Sequence, residues 1–189
     1  MPLARRQFVG LALPALAAAC SSPDPVLYTL PMKPGPVLHG GPKVVQLRDI
    51  GLAGYLDRRE IVRSSQAYKL GVMSNDWWGE SLATLLSRTI VLGLSQRLPD
   101  SRIYAEGGAI SVDPNAVLGV NIQRLDLDPS GELALEAQAA IEFNRPKRNA
   151  ARSFHIVKHP PTPNVSGQVA ASSDAVAELT DGLAAMLQS

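Results

Sequence analysis

The sequence predicts an α/β chain of the α+β kind, with a mixed, largely antiparallel sheet and two main helices packed on one face. A signal peptide and a flexible tether precede that domain. Three observations point there. Apolar residues recur at period two in several separate segments, as half-buried strands require. Two longer segments repeat apolar residues at helical spacing, one stopped by Pro99 and the other running close to the last residue. A length of 189 residues holds one ordinary domain with a tail, long enough to bury a core.

The first segment is a processing signal. "MPLARRQFVGLALPALAAAC" carries Arg5 and Arg6 and no acid, then apolar residues from Phe8 to Ala19, then the only cysteine in the chain. Twelve apolar residues fall short of the ~20 that cross a hydrocarbon core. Residues 1–19 are therefore expected to be a lipoprotein signal peptide, with Cys20 as the lipidated residue of the mature chain. An idle or buried thiol is the alternative for Cys20. "RRQF" resembles a twin-arginine export signal, and ordinary signals also carry adjacent basic residues, so the route stays open. Residues 20–42 hold six prolines and three glycines, and read as a tether that donates at most one strand, at 26–30. The domain proper is expected over 43–189.

Within it, "KVVQLRDI" alternates Val45 and Leu47 against polar neighbours, as a strand does. "EIVRSSQAYKLGVM" places Ile61 and Val62, then Tyr68, Leu70 and Val72, around a polar centre, which predicts a β-hairpin. "SNDWW" reads as a helix start, with Asn75 or Asp76 as the cap and Glu80 in the first turn, and the helix runs to Leu98. Its apolar sector, Trp78, Leu82, Leu85, Leu86, Ile90 and Leu92 widened by Leu94 and Leu98, exceeds one sheet contact. A second helix or another subunit is expected on it. "RIYAEG" is a short strand. "AVLGVNIQRLDL" is a longer one whose alternation shifts near Arg124, as at a bulge, and "DPSG" supplies turn chemistry. In "ELALEAQAAIEF", Leu133, Leu135, Ala137, Ala139, Ile141 and Phe143 share one face. Phe154 and Ile156 mark a third meander strand, "PPTPN" closes it, and the last helix starts between Gly167 and Asp174 with Val176, Leu179, Leu183 and Leu187 on one stripe.

Several functions are poorly served by this composition. The 18 basic and 17 acidic residues nearly balance, so no single-sign field gathers nucleic acid, and aromatics at 5% are too few for a stacking platform. "HGGPK" lacks the glycine spacing and Lys-Ser/Thr pair of a phosphate loop. His155 and His159 lie four apart in a segment that reads as a strand, where that spacing spans ~13 Å, so they are expected at the surface and not at a metal. No serine elbow is present. Asp126 and Asp128 read as a solvated pair beside a turn. An enzyme, a cofactor and a metal are not expected.

That leaves "YLDRREIV", four consecutive charges followed by a β-branched pair. Asp57 and Arg58 are expected to bond locally while Tyr55, Leu56, Ile61 and Val62 pack inward. The charges then read as architectural; the alternative is that Arg58 or Arg59 faces a neighbouring subunit, with Asp57 beside them as a further interface candidate, and Trp77 either covers the helix start or anchors an interface.

With the lipoprotein signal ending at Cys20, the segments "GYLDRREIVR" and "DWWGESLATLLSRTIVLGL" resemble the ABC-type transport auxiliary lipoproteins, the PqiC-like (YmbA-like) group. The matching positions are Tyr55, Leu56, Asp57, Arg58, Ile61 and Val62, then Trp78, Glu80 and Leu82. Arg59 stands where the family commonly has proline, and Gly79 where it has alanine. The resemblance implies a non-catalytic accessory subunit, lipid-anchored in the outer membrane and facing the periplasm. Its implied partners are an MCE-domain protein and an ABC permease and ATPase that move phospholipid or other hydrophobic cargo, and it implies a homo-oligomeric ring. An envelope assembly lipoprotein outside any transporter is the alternative.

Overall fold

The computed structural model describes residues 24–188 except 67, 110, 111 and 145; the signal segment and Cys20 lie outside the described residues. Its organising element is the long strand β7 (Ala116–Leu127), which is paired along both edges. One edge runs antiparallel with β8 (Leu133–Asn144), and β8 pairs in turn with β9 (Lys147–Lys158). The other edge is shared by three short parallel partners in succession: β2 (Val44–Leu47) beside 116–118, β3 (Gly51–Leu52) beside 121–122, and β4 (Glu60–Gln66) at Leu127. β4 forms the expected hairpin with β5 (Lys69–Trp78). The N-terminal strand β1 (Val26–Tyr28) lies parallel on β5, and β6 (Arg102–Ala105) lies parallel on β2. The sheet is mixed and mostly antiparallel in its paired length, as predicted.

Helices α1 (Leu82–Arg97) and α2 (Val165–Gln188) lie side by side over one face. The alternation of β8 decides which face: Leu133, Leu135, Ala137, Ala139, Ile141 and Phe143 are buried, while Gln138, Ala140 and Glu142 are exposed. Against that apolar surface α2 sets Val176, Leu179, Leu183 and Leu187, all 0–1% exposed, while α1, packed on α2 and β6, buries Leu85, Leu86, Ile90 and Leu94. Leu94 and Leu98 are fully buried. α2 is thus the second helix expected beside α1, but Leu92, which the sequence places in the same apolar sector, turns to solvent and is 49% exposed. The bulge falls between Ile122 and Arg124, where the alternation had placed it. At the β7–β8 turn Asp128 accepts from the Ser130 amide (2.8 Å) and the Glu132 amide (3.0 Å), with Gly131 at φ 85°.

Three boundaries differ from the sequence reading. "DWW" is not a helix start: residues 76–78 are held in β5 by β1, and the Asp76 carboxylate accepts from the Tyr28 hydroxyl (2.9 Å), so it caps no helix. Ladder pairing wins, and α1 begins after Ser81, whose hydroxyl accepts from the Thr84 amide (3.2 Å). Glu80 lies before the helix and pairs with Arg88 at 2.6 Å. The last helix starts earlier than expected, at Val165, because Asn164 of "PPTPN" accepts from the Gly167 amide (2.9 Å) as a cap does. Finally, residues 24–42 do not hang free. Leu30 is 1% exposed and its carbonyl accepts from the Thr89 hydroxyl, the Leu38 amide donates to the Arg97 carbonyl (2.7 Å), and Lys33 pairs with Asp174.

Arg97 is the clasp of that arrangement. It is 1% exposed, donates to the Asp181 carboxylate (2.5 Å), and also bonds the carbonyls of Lys33, Gly93 and Ala177 at 3.2 Å each. One guanidinium therefore ties the N-terminal segment to both helices.

Candidate functional site

The charged stretch 57–60 sits in a tight turn whose backbone is anchored at both ends. The Ala53 amide donates to the Ile122 carbonyl (2.9 Å) on β7, the Leu56 amide to the Ala53 carbonyl (2.8 Å), and the Trp78 amide to the Arg59 carbonyl (2.7 Å). Leu56, Ile61, Val62, Trp78 and Leu82 are all buried, at 1–7% exposure, so these apolar motif positions pack inward as expected.

The charges divide. Arg58 donates to the Tyr55 carbonyl (2.9 Å) and not to Asp57, which stands exposed; the expected Asp57–Arg58 pair does not form. Arg59 stacks its guanidinium 4.2 Å from the centre of the Trp77 ring, with Glu60 3.7 Å away. Such a stack at an exposed site contributes about 0.5–1 kcal/mol. The Trp77 indole N–H donates to the Ser74 carbonyl (3.0 Å). Across the sheet Trp77 is paired with Leu27 on one side and Glu60 on the other, so their side chains share a face, the one opposite buried Trp78. Leu27 is 63% exposed. The result is an amphipathic patch of Arg59, Trp77 and Leu27 beside the edge strand β1.

Beneath the turn lies a polar hub that sequence reasoning missed. Asp126 is fully buried, where a solvated carboxylate had been expected. It accepts from the Tyr55 hydroxyl (2.9 Å), the Ser65 hydroxyl (2.5 Å) and Arg124 Nε (2.9 Å). Burial, and then the Asp126 charge, push the Tyr55 phenol up to about 12. Burial is the largest single influence on the Arg124 guanidinium and lowers it, but the bond to Asp126 together with the charges of Asp126, Glu136 and Tyr55 outweighs it and leaves the group raised. With each oxygen engaged, the hub fixes the turn to β7 and the hairpin. No signal in the sequence marks Asp126, because its partners Tyr55 and Ser65 lie more than sixty residues away.

The other sites considered resolve simply. His155 and His159 are exposed and face Glu136 (3.7 Å) and Glu132 (2.8 Å) on the neighbouring strand or its turn. Among the described residues no cluster of His, Cys, Asp or Glu is arranged to hold a metal, and no helix is long and apolar enough to cross a membrane. A shallow groove of about 640 Å³ on the open sheet face is lined by Arg48, Asp49, Asn121, Gln138 and Arg152 among mostly small residues. Neither Asp57, Arg58 nor a histidine enters it, so it does not assemble the pocket an enzyme would need from the charged turn.

The sequence profile of the ABC-type transport auxiliary lipoprotein component family matches residues 28–184. The chain belongs to that family. Two crystal structures share the fold. That of an uncharacterized protein superposes with a TM-score of 0.73 at 15% identity, covering 87% of this chain and 99% of the other. That of a Xanthomonas campestris protein gives 0.69 at 16% identity, covering 84% and 92%. No curated protein matches the sequence. As a member of the family this auxiliary lipoprotein component is a non-catalytic part of an ABC-type transport system. The match begins at Tyr28, inside β1, consistent with the N-terminal segment being part of the folded unit.

Proposed function

We propose that this auxiliary lipoprotein is the docking subunit of an ABC/MCE-type system that moves phospholipid or other hydrophobic cargo across the envelope. It is held by a lipid on Cys20 at the outer membrane, facing the periplasm. The observation that supports the reading is the patch of Arg59, Trp77 and Leu27, which presents an aromatic anchor and a cation beside the edge strand β1. Asp57 and Arg58 border it on the turn and complete the surface offered to an MCE-domain protein. Tyr55, Leu56 and the Asp126 hub hold that surface in place from below. ATP hydrolysis and cargo passage belong to the permease and ATPase partners. A homo-oligomeric ring would use the sheet edges, the open sheet face or the surface of α1 around Leu92, which is 49% exposed.

Affinity purification of the tagged full-length chain from detergent-solubilised envelope tests this. The reading expects co-purification of an MCE-domain protein or an ABC permease, reduced by Arg59→Ala with Trp77→Ala. Recovery of no transporter component would overturn it.

A further inference from the structure

We propose that the tip of the β4–β5 hairpin, through Tyr68, Lys69 and Leu70, is a second membrane contact, seated in the headgroup region of the bilayer that holds the lipid anchor. The proposal rests on the reading of Cys20 as lipidated. Tyr68 is fully exposed at 101% and Leu70 is 46% exposed, although both lie in a hairpin whose base is packed into the core. Charge fits an anionic surface: residues 61–75 contain Arg63 and Lys69 and no acid. A tyrosine with an adjacent leucine and lysine is the composition that bilayer interfaces favour, because the ring body is apolar and its hydroxyl remains wet.

Register supplies the direction. Val26 pairs with Asp76 and Tyr28 with Trp78 in parallel, so residues 24 and 25, just before Val26, run back along β5 toward Lys69. The Asn75 side chain donates to the Asp24 carbonyl (3.1 Å), which fixes Asp24 near the level of Ser74. From there to Tyr68 the hairpin projects six residues, or ~20 Å at strand rise. Cys20 is four residues from Asp24, a reach of at most ~14 Å. Measured from Asp24, the hairpin therefore projects farther than the ~14 Å that four residues can carry the lipid. The tip of the β8–β9 hairpin lies at the opposite pole, because β7 runs parallel to β4 and β8 returns antiparallel to it.

The test uses the full-length lipidated protein in vesicles of phosphatidylethanolamine and phosphatidylglycerol. Cys20 is the only cysteine, and lipidation consumes its thiol as a thioether, so Lys69→Cys and Lys147→Cys each offer one labelling site, at opposite poles. An environment-sensitive fluorophore at 69 is expected to shift to the blue and lose most of its emission to nitroxide-bearing lipid. The same label at 147 is expected to do neither. Adding Tyr68→Ser and Leu70→Ser should abolish the quenching at 69 while the protein still floats with the vesicles. Protein that floats with no quenching at 69, with equal quenching at both sites, or with quenching unchanged by the serine pair overturns the proposal and leaves the anchor intact. Protein that does not float removes the anchor and the proposal with it.

Discussion

Replacing Asp126 by alanine should unfold this domain more readily than any change to the exposed charges above it. The carboxylate is fully buried and accepts three bonds, one from a guanidinium. Breaking a buried ion pair from one side costs about 3–5 kcal/mol. Arg124 keeps a quarter of its side chain in water and has Glu136 at 3.8 Å, so it is partly re-paired and the lower end, about 3 kcal/mol, applies. Against a typical total of about 5–15 kcal/mol that is a large fraction. With a urea slope of about 2 kcal/mol per molar, the midpoint falls by about 1.5 M. Urea unfolding followed by Trp77 and Trp78 fluorescence measures it. Tyr55→Phe alone should cost about 1 kcal/mol, and close to nothing in the Asp126→Ala background, because the acceptor is already gone. A midpoint for Asp126→Ala within about 0.3 M of the parent, or additive costs in the double variant, would refute the hub.

The raised Tyr55 phenol gives a pH dependence with a definite sign. Its folded value of about 12 exceeds the ordinary 10, so its contribution is complete below pH 10 and is lost as pH rises toward 12; unfolding titrations should show this, and Tyr55→Phe should flatten it apart from the share due to Tyr28, which is also raised. Arg97→Met removes the clasp, but Asp181 is 41% exposed and rehydrates, so a loss near 3 kcal/mol is expected in calorimetry, with earlier proteolysis within residues 24–42. Gly182→Ala places a methyl 2.4 Å from the Phe154 ring where α2 meets β9, and should lower stability by about 1–3 kcal/mol in the same assay.

Much of this architecture was written locally. The meander was legible because every second residue of β8 from Leu133 to Phe143 is apolar and buried, and even the slip near Arg124 left a trace in the apolar phase. The helical stripes were legible for the same reason. What stayed hidden depends on partners distant in the chain. Asp76 looked like a cap because nothing local shows that Tyr28 would engage it, and the proline-rich 24–42 looked like a tether because the carbonyls it offers are met by Thr89, Gln96 and Arg97. The candidate site divides likewise. The inward residues of the charged turn followed from their pattern, Arg59 and Trp77 were both singled out, but their stacking and the buried Asp126 beneath them arise only when β4, β5 and β7 come together.

The claim that this auxiliary lipoprotein docks a transporter through the patch at its β1 edge is tested most directly by site-specific photo-cross-linking from position 77 in the intact envelope. An adduct with an MCE-domain protein or ABC permease is expected from position 77 and none from Lys147 on β9, at the other side of the sheet. Adducts confined to copies of the chain itself, or the same partners captured from both positions, would contradict it.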